Sequence, residues 1–435
     1  MPRAPRAVEA YGTVRSAMGR SPSQPLVVTG VGVASAFGVG YAAFESALFA
    51  GASALGAVTT FDTTECRSHI AAKPAEFDPT RFVAAARLRR IDRTGQLAIM
   101  SSGLALEHAG LLPAPGAGSD DIGVALGSYT TGLHSLIDYL DKLNALGPIG
   151  ASALDFSNTV GNAAASLCGL EFGLRGPNVT LSQREASGLA AIAYAATLVR
   201  SGQCRAVVTG GIDDFERLFF AVHDRFRVLA YDDGYGEASR PFDRNRNGFV
   251  LGSGGYVIAL EHPESAARRG AVIHGHLLGV GSSSAKGRPS DWPTDAAPLE
   301  RAMRGAIEQS GREPADIAVV FASANSTQAL DRIEAEAIAS VLGAMAVPVV
   351  AVKGALGECG ATSAASLVAA LAALRTGRLP PTVGLESRDP ACQVDAVPSA
   401  RPLAPSPDGV ALINAFATGG TNYSIVVGGP INIQR

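Results

Sequence analysis

The sequence predicts an α/β protein built from two similar halves. Short β-rich runs alternate with Ala- and Leu-rich stretches along nearly the whole chain, and the alternation occurs twice. The 435 residues are long for one compact core and suffice for two, and 47% hydrophobic against 17% charged residues allows a large buried interior. Fifty glycines, with abundant Ala and Val, suit tight turns and helices packed closely on a sheet.

In chain order, residues 1–24 carry Arg3, Arg6, Arg15 and Arg20 among Pro, Ser and Gly. They read as a disordered tail, or as a segment upstream of a true start at Met18; an organellar transit peptide is the sharper alternative and is not favoured. Leu26–Val33 is a buried strand ending in a turn. The runs 122–127, 178–182, 206–210 and 255–260 complete a first series, residues 25–265. The second, residues 266–435, holds the runs 273–280, 317–322, 347–352, 410–414 and 423–427, with the junction near His262–Arg269. Strands alternating with helices imply mostly parallel sheets covered on both faces.

A net charge of −3 gives no global attraction to nucleic acid or anionic membranes. The Ala-rich run from Gly188 to Val199 is too short to span a bilayer. Five widely spaced cysteines, an odd number without a Cys-x-x-Cys pair, argue against disulfides or a zinc site and for a reducing cytoplasm. His274 and His276 share a strand face, which fits a metal less well than a solvated face because no further ligand pattern accompanies them. Gly30-Val31-Gly32-Val33-Ala34-Ser35 is a weak dinucleotide turn, with Ser35 at the third small position and no acid about twenty residues on.

Residues 180–189 read Thr180-Leu181-Ser182-Gln183-Arg184-Glu185-Ala186-Ser187-Gly188-Leu189, a strand running into a small-residue helix. This resembles the nucleophile turn of β-ketoacyl synthases, Thr-x-Ser-x-Ala-Cys-Ala-Ser-Gly-Leu, with Glu185 in place of the cysteine. The resemblance extends over nearly all of the chain after residue 25. It is carried also by Asn158-Thr159-Val160-Gly161-Asn162, by Arg240-Pro241-Phe242-Asp243 with the following Asn247-Gly248-Phe249, and by Asn414-Ala415-Phe416 with Gly419-Gly420-Thr421-Asn422. It implies a thiolase-like layered α-β-α-β-α fold of two similar halves.

Active members of that family use a cysteine thiolate to carry the acyl chain and two histidines to promote decarboxylation and stabilise the enolate. The loop of the first histidine is matched by Ala324-Asn325-Ser326-Thr327, with Asn325 at the histidine position; that of the second by Lys353-Gly354-Ala355-Leu356-Gly357, leading into Glu358. The catalytic positions are thus degenerate as Glu185, Asn325 and Glu358, and Lys353 is implied to pair with Asp331 beneath the old site. Cys359 reads as a space-filling residue rather than a relocated nucleophile.

Within the family the pattern is most like the chain length factor, or ketosynthase β subunit, of type II polyketide synthases. Glutamine is usual there, so Glu185 leaves aromatic and reduced-polyene pathways both open. The resemblance implies a cytoplasmic, non-catalytic subunit that pairs with an active ketosynthase α subunit. It binds no cofactor of its own, since acyl carrier protein presents the phosphopantetheine-bound acyl chain, and no nucleic acid or membrane. Alternatives are a malonyl-carrier-protein decarboxylase supplying starter units, which normally keeps both histidines, and a nicotinamide oxidoreductase resting on the glycine turn alone. Asn178–Ser182 resembles the edge strand through which family members pair. Leu133, Leu136 and Leu140 follow Ser128-Tyr129-Thr130-Thr131-Gly132 at helical spacing, either an ordinary core stripe or, as the resemblance implies, the closed end of an acyl tunnel.

Overall fold

The computed structural model describes residues 23–404 and 409–430. Most of the expected tail, residues 1–22, lies outside them, but Ser23 and Gln24 are anchored: Ser23 donates to Gln309 O and Leu278 O, and Arg200 donates to Gln24 O.

Ten strands form the framework: β1 (Leu26–Ser35), β2 (Ile122–Gly127), β3 (Asn178–Leu181), β4 (Ala206–Asp213), β5 (Gly254–Glu261), β6 (Gly275–Ser284), β7 (Ile317–Phe321), β8 (Pro348–Val350), β9 (Val410–Phe416) and β10 (Thr421–Gly428). The main helices are α1 (Tyr41–Phe49), α2 (Arg93–Ala109), α3 (Leu133–Leu146), α4 (Ala163–Phe172), α5 (Ser187–Arg200), α6 (Arg217–Arg225), α7 (Ala297–Ser310), α8 (Gln328–Leu342) and α9 (Thr362–Thr376).

Outward from the centre, the first half runs β1-β5-β4-β2-β3 and the second β6-β10-β9-β7-β8, with the two residues Asp395–Ala396 pairing parallel outside β8, and the halves join where β1 pairs with β6. The two series correspond strand for strand and in direction. β2 and β7 are parallel to both neighbours, whereas β1–β5, β5–β4, β6–β10 and β10–β9 are antiparallel. The expectation of mostly parallel sheets is therefore corrected to mixed sheets. The final strand of each half returns antiparallel, in the second half through the short Ala417–Gly420 loop, which no parallel crossover can use.

The layers follow from the side chains. α5 and α9 lie between the two halves in one continuous core, and Thr362–Ala373 are buried throughout because Ala and Ser allow close packing against strands on both sides. α2 and α4 cover the outer face of the first half, and α7 and α8 that of the second. The result is α-β-α-β-α. Gly30 and Gly32 are interior to β1, not in a turn, and an added Cβ at either would meet the α2 carbonyls of Ala105 or Ser101 at 2.2 and 2.0 Å. The glycine turn is thus corrected to a helix-packing device, since glycine alone lets α2 lie this close. No helix among the described residues is long and apolar enough to cross a membrane.

Candidate functional site

The inner ends of α5 and α9 converge with the loops after β7 and β9. Glu185 lies in a single turn, Arg184–Ala186, at the N-terminus of α5, and the turn is entered through Arg184 at φ 52°, uncommon for a non-glycine residue. Such turns present one side chain at the end of a helix. The Glu185 carboxylate is buried and accepts from Thr418 N, from Thr418 Oγ1 at 3.1 Å, and from its own backbone N–H. Arg184 forms no hydrogen bond with this carboxylate. Arg184 instead donates to Tyr129 Oη and to Pro289 O, because its backbone turns it outward while Glu185 faces in. Burial raises the Glu185 pKa, opposed by its backbone N–H, Arg184, Lys353 and Thr418.

Two backbone N–H groups converging on one oxygen site are what an acyl-transfer enzyme uses to hold a developing oxyanion. Here the chain's own carboxylate takes those donors. A glutamine at 185 preserves an acceptor for them, so Glu185→Gln is expected to leave the melting temperature nearly unchanged. Glu185→Leu strands the Thr418 donors at a cost of about 1–3 kcal/mol. Equal melting temperatures for the two variants in thermal denaturation would count against a polar role.

Asn325, Glu358 and Lys353 meet directly. Asn325 Nδ2 donates to Glu358 Oε2 at 2.8 Å, and Lys353 Nζ donates to the same oxygen at 2.8 Å and to Ser323 O at 2.9 Å. All three are at most 2% exposed. Lys353 does not pair with Asp331, which is a correction. Glu358, five residues on across the Gly357 turn at φ 74°, brings a carboxylate to the ammonium first. Asp331 instead accepts from Phe242 N and Asn325 N and sits 3.6 Å from Arg246. Burial pushes Asp331 up to about 6 and Glu358 up to about 7, the latter against the lowering effect of Lys353.

Three further residues escaped the sequence reading. Thr418 belongs to the closing glycine loop, where the pattern marks Gly419 and Gly420 and not the residue before them. Glu334, one turn after Asp331 on the buried face of α8, accepts from Ser323 N and Asn414 Nδ2. Asp213, at the end of β4, accepts from Ser128, Tyr129 and Thr130 on one oxygen and from Ala361 N on the other, tying the loop before α3 to the start of α9. The spacing of Glu334 from Asp331 was a usable signal; nothing local marks Asp213.

Glu334 supplies a pH test. Burial raises its carboxyl from the ordinary 4.5 to about 7, so the folded state binds the proton more tightly than the unfolded chain. Its contribution is fully present below 4.5 and is lost as pH rises through about 7. Relative to Glu334→Gln, the wild type is expected to lose about 2 kcal/mol between about pH 5 and 8. Parallel stability profiles for the two proteins would contradict the assignment.

Cys359 is buried with Sγ 3.0 Å from Thr362 Oγ1, and burial pushes its thiol far up. His274, read as part of a solvated face, instead packs against His108 with the rings tilted by 44° and their centres 4.3 Å apart, and His276 Nδ1 lies 3.0 Å from Gly429 O. The described residues contain no group of three or more His, Cys, Asp or Glu able to hold a metal. Leu133, Leu136 and Leu140 lie apart from this cluster on α3, which has no buried residue. The core-stripe reading is corrected accordingly, because α3 projects beyond the sheet instead of packing on it. β3 is at the sheet edge, as a pairing strand must be.

The β-ketoacyl synthase N-terminal domain model matches residues 23–266 and the C-terminal domain model residues 274–386. The chain belongs to the β-ketoacyl synthase family. It is 31% identical over 406 residues to a 3-oxoacyl-[acyl-carrier-protein] synthase 2 of Synechocystis sp., covering 92% of this chain and 97% of that protein. It is 32% identical over 410 residues to the tetracenomycin polyketide synthase ketoacyl synthase beta subunit of Streptomyces glaucescens, covering 93% and 98%. The solved structure of the ishigamide ketosynthase/chain length factor superposes with a TM-score of 0.85 at 30% identity, covering 94% of this chain and 99% of that one. Overall identity does not separate synthases from β subunits, so the residues at the site must.

Proposed function

We propose that this β-ketoacyl synthase relative is a catalytically silent subunit, a chain length factor, that pairs with an active ketosynthase and shapes the tunnel receiving a polyketide or polyene chain from acyl carrier protein. The observation that carries the reading is Glu185, at the nucleophile position, with its carboxylate on the Thr418 donors. A carboxylate cannot store an acyl group as a thioester, and an anhydride would hydrolyse or revert. Asn325 and Glu358 stand at the two histidine positions, locked with Lys353, and offer no neutral imidazole to an enolate oxygen.

The same two residues weigh against a stand-alone malonyl-carrier-protein decarboxylase, which relies on both imidazoles. The nicotinamide reading loses its motif, because Gly30 and Gly32 face α2 and leave no room for a pyrophosphate. The test is direct. The purified chain, incubated with acyl and malonyl thioesters of the carrier protein, should show no acyl adduct by intact mass and no release of acetyl carrier protein. A covalent adduct, or decarboxylation abolished by Glu185→Ala, would overturn the proposal.

A further inference from the structure

A cleft of about 730 Å³ opens between α1, the end of α2, the residues leading into β6 and the end of α9. It is separate from the acyl site. α9 begins beside Glu358 and Gly360 and reaches the cleft at its last residue, Thr376, a span of about 21 Å.

Its polar lining is dominated by donors. Arg375 pairs with Glu45 and leans over Tyr41, 5.9 Å from the ring centre. Arg378 rests over Phe49 at 5.8 Å and forms no ion pair among the described residues. Two guanidiniums thus face one carboxylate, which leaves an uncompensated positive charge beside two aromatic rings. Deeper in, His274 Nε2 is buried without a hydrogen-bond partner beneath the His108 ring. His108 Nδ1 lies 3.1 Å from Val31 N and 3.2 Å from Val31 O, so one backbone unit holds that edge of the ring whichever nitrogen carries the proton.

We infer that this cleft is a second ligand site, for a small phosphorylated compound with a flat body. Its phosphate would lie between Arg378 and Arg375, where planar guanidiniums match phosphate oxygens in pairs, and its body against Phe49 and Tyr41. The volume suits a nucleotide-sized molecule. Nothing in this inference depends on the chain length factor reading, because none of these residues touches the acyl site.

The full chain is titrated calorimetrically with ADP and with pyrophosphate. Saturable ADP binding is expected, weakened at least about tenfold by Arg378→Ala and by Arg375→Ala and untouched by Arg301→Ala on the far side of the second half. Pyrophosphate should bind more weakly than ADP, and Tyr41→Ala should reduce that difference. Absence of saturable ADP binding, or an affinity unchanged in Arg378→Ala with its melting temperature preserved, overturns the site. Equal affinity for the two probes overturns the flat-body assignment.

Discussion

Lys353→Met is expected to destabilise the protein by about 3–5 kcal/mol, the cost of removing one partner from a buried ion pair. Lys353 is 1% exposed, and its ammonium touches Glu358 and Ser323 while its charge also lowers the pKa values of Glu185 and Glu334. One cation therefore balances a set of buried carboxyls that burial already drives toward the neutral form. Without it they must take up protons or force the region open. The penalty should consequently grow with pH, being smaller near about pH 5, where Glu358 is protonated, than near about pH 8. The double variant Lys353→Met/Glu358→Met should recover most of the loss, since apolar residues of similar volume often replace a buried pair at little cost. Urea midpoints for the wild type, both single variants and the double variant form the cycle. A Lys353→Met midpoint close to wild type, or a double variant whose loss is the sum of the singles, would sink this account.

That interaction shows where sequence reading stops. The strand segments were legible because continuous runs of Val, Ile, Leu and Ala report burial on both faces; every expected run overlaps a strand, although 178–182, 273–280, 317–322 and 347–352 extend beyond theirs. Strand direction was not, because period and composition carry no sense of direction; β5 and β10 read like their parallel neighbours yet return antiparallel. Glu185, Asn325 and Glu358 could be found by position in motifs, but their contacts could not. Lys353 reaches Glu358 across a left-handed glycine, a geometry without helical spacing, and Glu185 finds Thr418 more than two hundred residues away. The leucines of α3 mislead for another reason. An apolar stripe has the same spacing whether it faces the chain's own core or another surface.

That ambiguity sets up the product-length test. Leu136 is 38% and Leu140 43% exposed in the isolated chain, and the same stretch also exposes Leu146, Ile149 and Phe156. Concentrated exposed apolar side chains mark a surface that something else covers. Under the proposed function, what covers them is the ketosynthase and the acyl chain. The loop that leads into α3 is held by Asp213 and by Tyr129, which accepts from Arg184, so the helix is positioned from the same turn that carries Glu185. Leu136→Ala or Leu140→Ala removes little buried contact within this chain and should cost less than about 1 kcal/mol, where a core leucine would cost about 2–5. In the reconstituted complex, each truncation at a closed tunnel end opens volume that additional chain carbons can fill. Products are therefore expected to shift toward longer chains while extension continues. Complexes that assemble fully with both variants but yield unchanged product lengths would remove these leucines from the tunnel and leave them an ordinary subunit contact.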